Sequence, residues 1–188
     1  RAAIQEMTVE LLDLYARRLD NYILRPYVAY YQLRLRLDEA GPAEVRRFMA
    51  VHADTPLAAR LLSDWLRQLG RTGQWDAFDA EFPRYRGEEV DIVCYGITSR
   101  VRRGQSDALA EARSLWFLPR ELPESCTPLF NALQQDGKLT TEDVWTRVRI
   151  GLEAGQLALA KRAAQYLPAG QDPDFRVPVP DWQLTARE

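Results

Sequence analysis

The chain has 188 residues and a mass of 21.6 kDa, and its 25 basic and 27 acidic residues give a formal charge of −2. This near balance excludes strong electrostatic attraction to nucleic acid. With 46% hydrophobic and 28% charged residues, the composition is that of a soluble globular protein and not of a disordered tail. No run of about 18 apolar residues is present, which excludes a membrane-spanning helix, and residues 1–10 lack the apolar stretch of a secretory signal.

Apolar residues recur at helical spacing through nearly the whole chain, which predicts about nine or ten helices. The main predicted stripes are Leu24/Tyr27/Val28/Tyr31/Leu35, Leu57/Leu61/Leu62/Trp65/Leu66/Leu69, Val90/Val93/Cys94/Ile97/Val101, Cys126/Leu129/Phe130/Leu133 and Val144/Val148/Leu152. Thr55-Pro56 predicts a helix start, because threonine can cap free amides and proline presets the first turn. In residues 33–37, leucine and arginine alternate, which is typical of a strand. A lone strand would have no partner, so a helix is predicted there.

Three Gly-Gln pairs lie between predicted helices, at Gly73-Gln74, Gly104-Gln105 and Gly155-Gln156. Glycine adopts the left-handed conformation that ends a helix at little cost, so each pair predicts a tight reversal and an antiparallel hairpin. A single hairpin buries only one face of its helices, and the stacking of successive hairpins covers the remaining apolar surface. We therefore predict an all-α fold, a right-handed α-superhelix of irregular, tetratricopeptide-like antiparallel hairpins.

The character of the sequence changes at Pro168, after which prolines interrupt a polar segment that cannot be regular helix. We predict that residues 1–167 form the superhelical domain and that residues 168–188 are a Pro-rich tail or a connector to a missing C-terminal region. Trp182 in this tail suggests docking onto a neighbouring domain. Because the chain opens on Arg1 and not on methionine, we expect a processed protein or a piece of a longer one.

The two cysteines, Cys94 and Cys126, are the sharpest chemical signal. Each lies on an apolar stripe, so both are expected to face a shared core. The residues alone leave two interpretations open. Reduced, buried thiols are one, since cysteine packs as a small apolar residue. A disulfide in an oxidising compartment is the other, and its loop of about 33 residues would stabilise the fold by roughly 3.5 to 4 kcal/mol in the chain-entropy model.

Catalytic and metal-binding patterns are sparse. The single histidine, His52, is distant from both cysteines, which are not close-spaced, so no zinc quartet is predicted. Cys94 on a core stripe is a poor candidate for a reactive thiolate. The sequence has no Gly-rich phosphate loop and no nucleophile elbow, and its carboxylates lie on charged faces. We predict no catalytic, cofactor-binding or metal-binding residue in this chain, and no cofactor.

The remaining candidate residues are predicted to be structural. His52 precedes a turn and is expected to end a helix, not to shuttle protons. The largest cationic cluster is too small to follow a nucleic-acid backbone, and a solvated face is expected for its members, Arg100, Arg102 and Arg103. Core packing between hairpins, and not a sugar-stacking platform, is expected for Trp65, Trp75, Trp116 and Trp145.

A longer pattern combines a Pro-Tyr helix start, the stripes and both cysteines. Its members are Leu24-Arg25-Pro26-Tyr27-Val28-Ala29-Tyr30-Tyr31-Gln32-Leu33, Phe48, Thr55-Pro56-Leu57-Ala58, Leu61, Trp65-Leu66, Leu69, Trp75, Cys94, Gly104-Gln105, Leu115-Trp116, Cys126 and Leu129-Phe130. In order and spacing, this pattern resembles the N-terminal superhelical (U-type) domain of soluble lytic murein transglycosylases. The resemblance runs from about Tyr15 to Pro168.

In that family, the helices close into a ring beneath a C-terminal lysozyme-like domain, and the enzyme works in the bacterial periplasm. The resemblance therefore implies that Cys94 and Cys126 form a disulfide. It also implies a periplasmic location, with a signal peptide that is not in this chain. The Pro-rich run from Ala169 to Trp182 departs from the helices that the family has next.

Enzymes of this family cleave the β-1,4 bond between N-acetylmuramic acid and N-acetylglucosamine without water, leaving an anhydro sugar. One glutamate of a C-terminal Glu-Ser motif acts as acid and then as base, and that region has no counterpart here. The dipeptide Glu124-Ser125 aligns with the helical part of the family instead. We therefore expect it to be a helix start with an acidic residue near the positive end, without catalytic chemistry.

The resemblance predicts a non-catalytic superhelical fragment of a periplasmic peptidoglycan lytic transglycosylase. Its expected partners are peptidoglycan glycan strands, through the parent enzyme, and cell-wall proteins; nucleic acid and a membrane span are not expected. The alternative is a tetratricopeptide-like scaffold that binds protein partners and has no enzymatic domain. An enzyme contained within these residues is the third and least favoured hypothesis.

Overall fold

A computed structural model of the chain describes residues 24–171 together with residues 11, 14, 173 and 175, apart from the side chain of Ser106. Regular structure within these residues is entirely helical, which confirms the predicted all-α class. No described helix is both long enough and apolar enough to cross a membrane. The predictions for Pro178, Pro180 and Trp182 fall outside the described residues.

Nine α-helices follow one another through the described residues. They are α1 (Arg25–Leu35), α2 (Pro42–Val51), α3 (Pro56–Thr72), α4 (Trp75–Glu81), α5 (Val90–Arg102), α6 (Ser106–Trp116), α7 (Thr127–Gln135), α8 (Thr141–Glu153) and α9 (Leu157–Ala164), with 3₁₀ turns at Phe82–Arg84 and Glu124–Cys126. The chain divides into two compact units, Arg1–Ile92 and Val93–Glu188. The predicted boundary between residues 167 and 168 stays a prediction.

Helix α3 is the centre of the first unit, where it contacts α1, α2 and α4. Thr55 caps its start by accepting a hydrogen bond from the Leu57 amide at 3.3 Å, and Pro56 occupies the first turn, as predicted. The predicted apolar stripe of α3 is buried at every position from Leu57 to Leu69. Trp65 lies in its middle and is 2% exposed, so it belongs to the core.

The buried face of α1 differs from the predicted stripe. Leu24, Tyr27 and Tyr31 were expected to be buried, but they are 47%, 44% and 43% exposed, whereas Tyr30 and Leu33 are buried. The Tyr30 hydroxyl donates to Asp64 Oδ2 of α3 at 2.7 Å, so this face packs toward α3. The stripe prediction for α1 was wrong because this helix has apolar residues on several sides. The side that is buried is the one that packs against α3.

The predicted helix ends at the three Gly-Gln pairs are confirmed, whereas the antiparallel hairpins stay a prediction. Gly73, Gly104 and Gly155 have φ angles of 70°, 78° and 67°, in the left-handed region. The amide of the following glutamine donates in each case to the carbonyl five residues earlier, at 2.9, 3.1 and 2.7 Å respectively. This bond satisfies a free carbonyl at the helix end and stops the helix there.

The second unit contains residues 93–102 of α5 together with α6 to α9, and α8 packs tightly against α9. Val144 and Val148 of α8 are buried as predicted, and so is Gly151 on the same face. A Cβ atom at Gly151 would lie 2.9 Å from the Ala160 backbone nitrogen, so the two helix backbones pack too closely for a side chain. In α7, Leu129, Phe130 and Leu133 are buried, as their stripe predicted.

Replacing Trp65 by alanine tests the core of the first unit. We expect Trp65→Ala to lower the free energy of unfolding by about 3 to 5 kcal/mol, because it removes a buried indole and leaves a cavity. Tyr27→Ala is the control, since Tyr27 is 44% exposed, and its expected cost is below about 1 kcal/mol. Urea denaturation measures both, and a Trp65→Ala cost below about 1 kcal/mol would point to an exposed ligand platform.

Candidate functional site

A disulfide joins Cys94 of α5 to Cys126, the last residue of the 3₁₀ turn before α7. The Sγ atoms are 2.02 Å apart and the Cα atoms 5.0 Å apart, and both residues are fully buried. A closed loop of this length removes conformations from the unfolded chain. The bond therefore ties α5 to the start of α7, and neither sulfur is a thiolate.

The Glu124-Ser125 dipeptide lies in this same 3₁₀ turn. Glu124 is exposed, and the Ser125 hydroxyl is buried without a hydrogen-bond partner in the part of the chain that the structure describes. The two side chains therefore occupy different environments, and the dipeptide begins a helical segment, as predicted.

The second unit contains a buried cation, Arg147 of α8, which is 5% exposed. Its guanidinium donates to the carbonyl oxygens of Trp116, Leu118 and Arg120, the last two at 3.3 Å. It also lies 5.0 Å from the centre of the Trp116 ring. Arg147 thus holds the end of α6 and the segment after it. Burial lowers the pKa of Arg147 to about 10, with a further lowering from Arg162 and an opposing effect of Tyr166.

Trp116 and Asp143 connect α6 to α8. The Trp116 indole Nε1 donates to the Asp143 carbonyl oxygen at 3.0 Å, and Arg113 Nη2 donates to Asp143 Oδ1 at 2.6 Å. Burial alone would raise the pKa of Asp143, but hydrogen bonds from the Thr140 backbone and from Arg113 outweigh burial and lower it. Asp143 is therefore an ionised anchor and a poor proton donor.

We call the open cavity beside these residues the Arg147 cleft, and it has a volume of about 610 Å³. Its aromatic side chains pack edge to face, with the Trp116 ring centre 5.0 Å from Phe130 and 5.1 Å from Tyr166. Polar and charged groups line it as well. They include Glu121, Glu124, Asn131, Arg147, Arg162 and Gln165.

The first unit has a cleft of similar size, about 600 Å³, which we call the Arg67 cleft. Arg67 bonds Asp91 at 2.5 Å and lies 3.5 Å from Asp64 and 3.6 Å from Glu89. Burial alone would lower the pKa of Arg67, but these three carboxylates outweigh it and raise that pKa. Burial and the hydrogen bond to Asp64 raise the pKa of Tyr30, which also lines this cleft, to about 12. The carboxylates of this cleft are thus neutralised by arginine.

The other residues that the sequence singled out have structural contacts. His52 ends α2, where its amide donates to the Phe48 carbonyl at 3.0 Å and its ring lies 4.4 Å from the Phe48 ring. Arg100 bonds Glu111 at 2.6 Å. Trp116, like Trp65, is in the core, whereas Trp75 and Trp145 are half-buried. Among the described residues, no group of three or more histidine, cysteine or acidic side chains is arranged to hold a metal ion.

Arg147 is the residue that the sequence reasoning missed. Yet Arg147 stands three residues after Val144 and one before Val148, on the buried face of α8. An arginine at such a position in an apolar stripe is a usable signal, because it must find buried acceptors.

Comparison with known proteins identifies the fold and its relatives. No protein-family model matches the chain. The soluble lytic murein transglycosylase of Escherichia coli K12 is 28% identical over 152 residues, which are 80% of this chain and 23% of that protein. The Salmonella typhimurium enzyme is 26% identical over 152 residues, with the same shares of the two chains. The chain is homologous to soluble lytic murein transglycosylases.

Solved lytic transglycosylases share the fold. An inactive mutant of lytic transglycosylase Slt from Pseudomonas aeruginosa is 34% identical with a TM-score of 0.67, over 81% of this chain and 25% of that one. The 70-kDa Escherichia coli enzyme is 25% identical with a TM-score of 0.71, over 90% of this chain and 28% of that one. The matches confirm the predicted helical fold of their superhelical region. This chain spans about a quarter of the length of the lytic transglycosylases it matches.

Because of the disulfide, we expect oxidised and reduced protein to differ in free thiol content and in stability. Protein purified from an oxidising compartment should contain no free thiol, so alkylation without reduction should leave its intact mass unchanged. Labelling of two thiols before reduction would contradict the disulfide. Reduction should lower the free energy of unfolding by about 3.5 to 4 kcal/mol.

A cysteine variant provides the matched control for reduction. Cys126→Ala should be less stable than the natural chain under oxidising conditions, where it loses the cross-link. Under reducing conditions the difference should shrink, because both proteins then lack the bond. Equal differences under both conditions would mean that Cys126 acts by packing alone.

Proposed function

We propose that this chain is a non-catalytic, superhelical part of a periplasmic lytic transglycosylase. In this proposal, the enzyme cleaves the β-1,4 bond between N-acetylmuramic acid and N-acetylglucosamine, leaving anhydro-muropeptides. The helices, with residues 1–167 as their domain, position the catalytic region against glycan strands. The observation that carries the proposal is the match to soluble lytic murein transglycosylases over 152 residues.

The environments of the carboxylates support a non-catalytic role. A glutamate that acts first as acid and then as base needs a raised pKa in a cleft. Asp64, Glu89 and Asp91 instead form ion pairs with Arg67. Glu121 and Glu124 line the Arg147 cleft but are exposed to solvent. Neither cleft provides the desolvated carboxyl that this chemistry requires.

The disulfide supports the proposed compartment. Disulfides persist in oxidising environments such as the bacterial periplasm and are rare in the cytosol, where thiols are kept reduced. Cys94 and Cys126 are joined and fully buried here. A periplasmic location is therefore consistent with the covalent structure of the second unit.

Incubation of the 188-residue chain alone with purified murein sacculi tests the non-catalytic assignment. Mass spectrometry of the soluble fraction should detect no anhydro-muropeptides, whereas an intact soluble lytic transglycosylase should release them in a parallel sample. Release by this chain alone would overturn the assignment. In that case, loss of release in Glu124→Gln would identify Glu124 as the acid.

A further inference from the structure

Two arginines line the Arg147 cleft, the buried Arg147 and the exposed Arg162, and neither forms an ion pair with an acidic side chain among the described residues. Arg147 donates only to backbone carbonyls and lies over the Trp116 ring. Arg162 of α9 also lines the cleft, and its described hydrogen bond is a long one, 3.4 Å, to the Leu122 carbonyl. The positive charge of Arg162 contributes to the lowering of the Arg147 pKa, after the larger effect of burial.

Two other features of the cleft restrict what it can bind. The half-buried Tyr166 gives it an accessible aromatic ring, with the buried rings of Trp116 and Phe130 beneath the surface, and this ring suits the aliphatic part of a ligand. Glu121 and Glu124, both exposed like Arg162, add two carboxylates to its lining. A purely anionic ligand would meet those carboxylates, whereas a ligand with both charges would pair with each set.

We propose that the Arg147 cleft binds a short peptide that carries both a free carboxylate and an ammonium group. The carboxylate pairs with Arg162, with Arg147 behind it, and the ammonium group pairs with Glu121 and Glu124. The aliphatic part of the peptide packs on Tyr166, which is half-buried. Arginine suits this role because its planar fork matches a carboxylate.

This inference rests on the proposed function for its biological ligand, since the peptides carried by murein glycan strands have such groups. It gives the second unit a binding role beside its role in positioning the enzyme.

Peptide titration of the 188-residue chain tests the proposal. The probe is a synthetic alanine-glutamate-lysine tripeptide with free termini, and binding is followed by calorimetry and by tryptophan fluorescence, since Trp116 lines the cleft. We expect saturable binding with a dissociation constant at or below about 1 mM, as a few charge-assisted contacts allow. The same tripeptide with every carboxyl group amidated should bind at least about tenfold more weakly, and so should the form with every amino group acetylated.

Neighbouring residues on α9 provide a matched pair of variants. Arg162→Gln should weaken tripeptide binding about tenfold or more, because Arg162 lines the cleft. Lys161→Gln makes the same change in net charge one residue earlier, at an exposed position outside the cleft lining, and should leave binding within about twofold. Circular dichroism checks that both variants stay folded. Arg147 is left intact, since it anchors three carbonyl groups.

Three outcomes would overturn the proposal: no saturable binding, equal binding of the blocked peptides, or equal weakening by Arg162→Gln and Lys161→Gln. Its failure is distinguishable from failure of the proposed function. If the chain does not bind the tripeptide but belongs to a polypeptide that cleaves murein, only the cleft proposal fails. If the chain binds the tripeptide but belongs to a polypeptide that does not cleave murein, only the enzymatic assignment fails.

Discussion

The second unit depends on the burial of one cation, Arg147, against backbone carbonyls and the face of Trp116. Carbonyls at the end of α6 carry partial negative charge, so a guanidinium is stabilised there without a carboxylate. Removing the donor would leave buried acceptors unsatisfied, at a cost of about 1 to 3 kcal/mol each. The same contacts fix the segment between α6 and α7, and with it one wall of the Arg147 cleft.

Local chemistry made much of the fold predictable. Thr55-Pro56 starts a helix, and Gly73, Gly104 and Gly155 end helices, because capping and left-handed φ depend on the residues themselves. The buried face of α1 was not predictable in this way. Apolar residues occur on several sides of that helix, and the side that packs carries Tyr30, which donates a hydrogen bond to Asp64 of α3.

The candidate site was harder to predict from the sequence than the fold. The cysteine pairing came from resemblance to a family, since position on two apolar stripes is equally compatible with free thiols. Arg147 was missed although its place on the stripe of α8 marked it for burial. The Arg147 cleft itself joins residues from Trp116 to Tyr166, and such a combination becomes visible only when α6 to α9 are packed. Charges that are scattered along the chain thus line one cleft, in which Arg147 is buried and Arg162, Glu121 and Glu124 are exposed.

We have proposed that these helices are the supporting part of an enzyme that cuts murein. The most direct measurement takes the natural polypeptide that contains this chain, incubates it with purified sacculi and identifies the soluble products by mass spectrometry. The account predicts muropeptides that end in an anhydro sugar. A natural polypeptide that folds, retains the Cys94–Cys126 bond and releases no such product would contradict the account and favour a binding scaffold.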